Sequence, residues 1–173
     1  MAYAPAIKNG YIWDDPAHVT ENSLLKSSEG LKKIWFEPSA SHQYYPLTFS
    51  SFWAEYHIWN LNPFGYHLVN VLLHILNAIL LFFVLRRLNI LGAWMAVAIF
   101  ALHPVHVESV AWISERKNVL SGFFYLSSLL FYIRFALTDN KLKVTPAGLP
   151  PKMYSVVSTE IICFPWDFLY VPC

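Results

Sequence analysis

The sequence predicts an all-α membrane protein with about three transmembrane helices and an outer loop that carries interfacial helices. Three observations lead there. Of the 173 residues, 56% are hydrophobic and only 13% charged, where a water-soluble domain carries about a quarter charged residues. Three apolar runs, 68–85, 93–113 and 119–137, each approach the roughly 20 residues that cross a hydrocarbon core. Segment 1–67 is instead mixed and rich in Trp, Tyr and Phe, too often interrupted to span a bilayer. The expected organisation is therefore an outer loop over 1–67, a three-helix membrane region over 68–137, and a polar linker with an atypical, truncated tail over 138–173.

A net charge of +1 argues against nucleic acid as a partner. Cys163 and Cys173 fit no metal or redox spacing. The N-terminus shows no basic segment followed by an apolar stretch, so no signal peptide is expected, and the first membrane segment must itself direct insertion.

Within the outer loop, "SLLKSSEGLKKIWF" (23–36) suits a helix lying in the interface with Trp35 and Phe36 among the lipid headgroups, or equally a soluble loop helix. "YYPLTFSSFWAEYHIW" (44–59) reads as a second helix starting at Pro46, where a missing N–H is harmless. "LNPFGY" (61–66) reads as a turn.

The first span, 68–85, has 18 residues without a charge and reaches ~27 Å at 1.5 Å per residue. Asn70, His74 and Asn77 lie at helical spacing on one face, with His67 just before. Polar groups in lipid need partners, so this stripe should face other helices, with packing as its commonest role, or a wet cavity. The second span, 93–113, contains "HPVHVESVAWI", and the third, 119–137, ends near Arg134, which can snorkel. Arg86 and Arg87 in one short loop, and Arg134, Lys141 and Lys143 beyond the third span, put both of those ends on the cytoplasmic side. Residues 1–67 then lie outside, although Arg116 and Lys117 weigh against that orientation.

Two groups of residues have chemical potential. Arg116 and Lys117 stand beside the positive end of the third helix, with Ser114 as its expected N-cap and Glu115 in its first turn. Two cations there make sense if an anion such as a lipid phosphate sits among them. The alternative is pairing with Glu108 and Glu115 or with bulk lipid headgroups. His103, His106 and Glu108 have metal-ligand chemistry, but Pro104 disturbs the geometry and no fourth ligand is apparent, so no metal is expected. Near the N-terminus, Asp14 and Asp15 stand between Trp13 and Pro16. Adjacent, partly buried carboxylates can make one a general base; the alternative is an N-cap or Asx-turn at Pro16.

"NGYIWDDPAHVTEN", "YYPLTFSSFWAEYHIWNLNPFGYHLVNVLLHILNAIL" and "GAWMAVAIFALHPVHVESVAWISERKNVLSGFFYL", covering roughly 8–137, together resemble the membrane part of bacterial tetratricopeptide-repeat membrane proteins. These are related to the transmembrane and tetratricopeptide-repeat-containing O-mannosyltransferases. The resemblance implies a partial GT-C-type helical bundle that moves a sugar from a polyprenyl- or dolichyl-phosphate donor to a protein hydroxyl on the outer face. It implies Asp14 and Asp15 as the catalytic acids, and His103, His106, Glu108, Glu115, Arg116 and Lys117 around the lipid phosphate. It implies no cofactor beyond the donor, and membrane lipid, donor and protein acceptor as partners. The implied location is a multi-pass position in the bacterial inner membrane, or the endoplasmic reticulum membrane if eukaryotic, with the N-terminal loop periplasmic or lumenal.

The family has further helices and a C-terminal repeat array that this chain does not show, so it reads as a fragment whose activity belongs to a longer parent. The competing function is a non-catalytic membrane anchor of a repeat-containing scaffold.

Overall fold

The computed structural model describes residues 3, 5–41 and 43–138. The expected polar linker and tail, with both cysteines, lie outside the described residues from 139 onward. Among the described residues the fold is all helical. Three short helical turns, Ala6–Lys8, Pro16–Thr20 and Ser23–Lys26, precede α1 (Ser28–Phe36), α2 (Pro46–Trp59), α3 (Pro63–Arg87), α4 (Ala93–Leu102), α5 (His106–Ala111) and α6 (Arg116–Thr138).

Side-chain caps set three of these boundaries. The segment expected as one helix over 23–36 divides at Ser27, whose Oγ accepts from the Gly30 N–H at 3.0 Å and so starts α1 afresh. Asn22 caps the preceding turn through the Leu24 N–H at 3.0 Å. Gly30 is required because a Cβ there would stand 2.0 Å from the Leu24 carbonyl oxygen. α2 begins at Pro46 as expected and stops at Asn60, which adopts a φ of 52°. The expected turn at 61–66 is mostly helix: Asn62 Oδ1 accepts from the Phe64 N–H at 3.1 Å and Pro63 occupies the first helical position, so α3 starts there.

α3 and α6 are long and apolar enough to cross a membrane. Most of each apolar window is not buried within the chain, and Ile75, Ile79 and Phe83 of α3 and Phe124, Phe131 and Phe135 of α6 face outward. Core helices of a soluble globule would bury such side chains, and these exposed apolar faces fit candidate membrane helices.

The middle traverse departs from expectation. The run 93–113 is not one span; it breaks at His103–Val105 into α4 and α5. Pro104 disfavours a helical conformation at His103, which takes φ −67° and ψ 132°. The freed Val105 N–H donates to His103 Nδ1 at 3.2 Å. The ten residues of α4 rise only ~15 Å, about half the hydrocarbon thickness.

α6 runs parallel to α3. Asn70 meets Arg116 near the start of both, Asn77 meets Val119 further along, and Val84, Leu88 and Ile133 cluster near their ends. The larger core lies at the other end, in the loop region itself: Val19, Leu25, Ile34, Phe49, Phe52, Tyr66 and Ile113 are buried together. The described residues before α3 are thus folded onto its start. On α1, Gly30 and Ile34 face that core while Trp35 and Phe36 point outward.

Candidate active site beside a buried arginine

The acidic corner is split between two environments. Asp15 is fully buried and accepts two backbone hydrogen bonds, from Ile12 N–H to Oδ2 at 3.1 Å and from Ser114 N–H to Oδ1 at 2.8 Å. Asp14 is exposed. Its backbone carbonyl accepts from His18 Nδ1 at 2.9 Å, and the His18 ring stacks on Phe49. The two carboxylates therefore do not share one buried pocket, as the adjacent-acid argument expected. Nor does Asp15 cap the turn at Pro16: its side chain makes no cap hydrogen bond there.

Arg116 and Lys117 point in different directions. Arg116 is 0% exposed. Its Nε donates to Asn70 Oδ1 at 2.7 Å, one terminal nitrogen donates to Ser51 Oγ at 3.1 Å and to Glu55, and the other donates to the Tyr66 carbonyl at 2.8 Å. Its guanidinium carbon lies 4.6 Å from the Phe52 ring centroid. A guanidinium has five N–H donors, and four are accounted for by these bonds. The expected pairing with Glu108 or Glu115 is not what Arg116 makes; its carboxylate is Glu55, from α2. Burial pushes the Glu55 carboxyl above its ordinary range, opposed by the charge and hydrogen bond of Arg116. Nearby, burial first and then Asp15 and Glu55 push the Tyr11 phenol up to about 12.

Lys117 is partly exposed and pairs with Glu115 Oε1 at 3.0 Å. Its Nζ lies 5.4 Å from the Tyr45 ring centroid. It lines a cleft of about 450 Å³ between the start of α2 and the first turns of α6, with Tyr44, Tyr45, Leu47, Ser121 and Phe124. A cation above aromatic and apolar walls suits an anion carrying an apolar chain. Glu115, not Ser114, immediately precedes α6, and its Oε2 accepts from Asn118 Nδ2 at 2.7 Å.

The remaining predicted residues stand apart. His103 and Glu108 are exposed. His106 packs against Phe100 at 4.5 Å and His74 at 5.5 Å between centroids. Among the described residues no three His, Cys, Asp or Glu side chains converge as metal ligands. A cavity of about 510 Å³ between α3 and α4, beneath Tyr3 and Ile7, is apolar apart from His74 and Tyr3 and holds none of the predicted site residues.

Sequence reasoning missed Glu55 and Ser51. The available signal was that Glu55 is the only charged residue in 46–59, and an ionisable group in such surroundings requires a partner. The polar stripe of α3 turns to protein backbone: Asn70 Nδ2 donates to the Trp112 carbonyl at 2.8 Å, Asn77 Nδ2 to the Val119 carbonyl at 2.8 Å, and His74 Nε2 lies 3.4 Å from the Ala101 carbonyl.

No protein-family model matches the chain, and no solved structure matches it. Curated proteins do. Human Protein O-mannosyl-transferase TMTC3 is 31% identical over 159 residues, covering 86% of this chain and 17% of the relative. Mouse Protein O-mannosyl-transferase TMTC2 is 45% identical over 147 residues, covering 79% and 18%. The chain is homologous to the TMTC protein O-mannosyl-transferases. Drosophila melanogaster Tmtc1, 34% identical over 148 residues, is a third TMTC relative of similar coverage, 79% of this chain and 17% of its own. The chain therefore spans less than a fifth of the length of these three TMTC proteins. All three are animal proteins, so the bacterial side of the resemblance gains no support from them.

Proposed function

We propose that this chain forms the outer-face reaction region of a membrane-bound protein O-mannosyltransferase, which moves mannose from a polyprenyl- or dolichyl-phosphate donor to a Ser or Thr hydroxyl of a protein. The observation that carries the reading is the hydrogen bond from the Ser114 N–H to Asp15. It ties the acidic corner of the outer loop to the start of α6, where Lys117 and its cleft lie.

The division of labour follows from the environments. Asp15, buried and doubly hydrogen-bonded, positions the corner. Asp14, exposed beside it, is the general base. It takes the proton of the acceptor hydroxyl as that oxygen attacks C1 of the mannose. The C1–O bond to the phosphate breaks, and its electron pair stays on the phosphate oxygen. Lys117, held by Glu115, offsets the charge that develops there, and the lipid chain follows the apolar wall of the cleft. The products are the O-mannosyl protein and the lipid phosphate. Arg116 braces α2, α3 and α6 instead of holding the phosphate. His103, His106 and Glu108, at and just after the break between α4 and α5, take no part in this scheme.

The topology is multi-pass. Arg86 and Arg87 end α3 and Arg134 stands near the end of α6, so the opposite end, with the outer loop, faces the lumen of the endoplasmic reticulum or the periplasm. The test is reconstitution of the full-length protein containing this region with a mannosyl-phosphate polyprenol and a Ser/Thr-rich peptide. Lys117→Ala is expected to raise the donor KM with little change for the peptide; an unchanged donor KM removes Lys117 from the site.

A further inference from the structure

Trp13 and Trp112 do nothing in the scheme above, yet Trp13 is held in an unusual way and Trp112 stacks on it. Trp13 has a φ of 50°, a left-handed conformation that a bulky side chain rarely takes, and it remains 82% exposed. Such strain persists only where the surroundings over-determine it, and it concentrates at functional positions. Burial does not repay it here, because the indole is out in the open. What the conformation achieves is a stacked arrangement: the Trp13 and Trp112 rings lie 14° from parallel with centroids 6.2 Å apart.

Both backbones are fixed close by. Trp13 comes two residues before Asp15 and Trp112 two residues before Ser114, and Asp15 and Ser114 are bonded to each other. The Trp112 carbonyl also accepts from Asn70 at 2.8 Å. A pair of stacked, near-parallel indoles is therefore pinned at two points, directly beside the exposed Asp14.

From this juxtaposition we infer that Trp13 and Trp112 form a stacking platform for the pyranose ring of the sugar being transferred, and so set its orientation relative to Asp14. The inference rests on the transferase reading and adds residues to it. One face of a pyranose presents a patch of C–H groups, and a flat, rigid indole provides a large complementary area at little entropic cost. The sugar's hydroxyls stay at the ring edge, where they remain free to hydrogen-bond. A headgroup anchor is the other common use of an exposed Trp at a membrane surface, but anchoring needs neither the left-handed backbone nor the parallel partner.

The experiment measures donor and acceptor KM for the full-length protein carrying Trp13→Leu, Trp13→Tyr or Trp112→Leu, with Asp14→Asn alongside. Leu keeps the apolar bulk that an anchor needs and removes the ring. The platform predicts a donor KM raised about three- to tenfold in Trp13→Leu and Trp112→Leu, an unchanged acceptor KM, and recovery of the donor KM in Trp13→Tyr. Trp13 is exposed, so its variants fold without it. A donor KM in Trp13→Leu equal to that of the unmodified protein overturns the platform. If Asp14→Asn abolishes transfer while Trp13→Leu leaves the donor KM unchanged, the platform alone fails. If the unmodified full-length protein transfers no mannose from the lipid-phosphate donor, the transferase reading fails and takes the platform with it.

Discussion

Asp15 accepts the Ser114 backbone N–H at 2.8 Å across 99 residues of sequence. That bond joins the N-terminal region to the start of α6, and of the two neighbouring aspartates it holds one buried while the other stays exposed.

Asp15→Ala should therefore destabilise the fold where Asp14→Ala does not. It leaves the Ile12 and Ser114 N–H groups without their acceptor, at a cost of about 1–3 kcal/mol for each buried donor left unpaired. Thermal unfolding of the two variants in detergent checks this. An equal Tm for both would mean that Asp15 holds nothing together.

The Arg116–Glu55 pair makes a coupled prediction. Removing either partner alone strands the other in a buried site, at about 3–5 kcal/mol. Arg116→Met with Glu55→Gln together should cost clearly less than the sum of the two single changes. Arg116→Lys should also destabilise, because a point cation cannot reproduce the fork that reaches Asn70, Ser51, Glu55 and Tyr66. A double-mutant cycle on denaturation midpoints reads the coupling, and strict additivity would show the pair to be energetically independent.

Glu55 also predicts a pH dependence. Its carboxyl is raised in the folded state from 4.5, so the folded protein binds more protons than the unfolded chain between the two values. The sign is that this contribution is complete below the ordinary carboxyl value and is lost as pH rises through the folded one. Glu55→Gln should flatten that slope. At the alkaline end Tyr11 acts in the same sense: stability should fall between pH 10 and about 12, and Tyr11→Phe should lessen the fall. Stability that rises with pH in either window would contradict the assignment.

Between the membrane helices, Gly122 lets α6 approach Asn77; a Cβ there would stand 3.2 Å from Asn77 Nδ2. Gly122→Leu is expected to separate α3 from α6 and lower assembly in lipid. Asn77→Ala should cost only about 0.6 kcal/mol, the usual worth of one interhelical hydrogen bond in a membrane. Cysteine crosslinking between the two helices reports the separation.

Much of this architecture is legible in the sequence. Long uncharged runs announce α3 and α6, and the spacing of Asn70, His74 and Asn77 announces a packed face, because helical periodicity is local. The break at His103 is also local, since Pro104 is in plain view, but apolar length outweighs it in a hydropathy argument. The direction taken by Arg116 is not legible. Its partner Glu55 lies 61 residues away, and a cation next to Lys117 at a helix start looks the same whether it turns inward or outward. Asp14 and Asp15 present the same problem: adjacent identical residues differ only in which one the fold buries.

The most direct measurement is mannose transfer by the full-length protein carrying Asp14→Asn, which keeps the shape of the side chain and removes its basicity. A general base contributes about 10²–10⁴-fold, so kcat should fall by at least about a hundredfold with the donor KM and Tm essentially unchanged. Transfer at the unmodified rate by a folded Asp14→Asn protein would contradict the account.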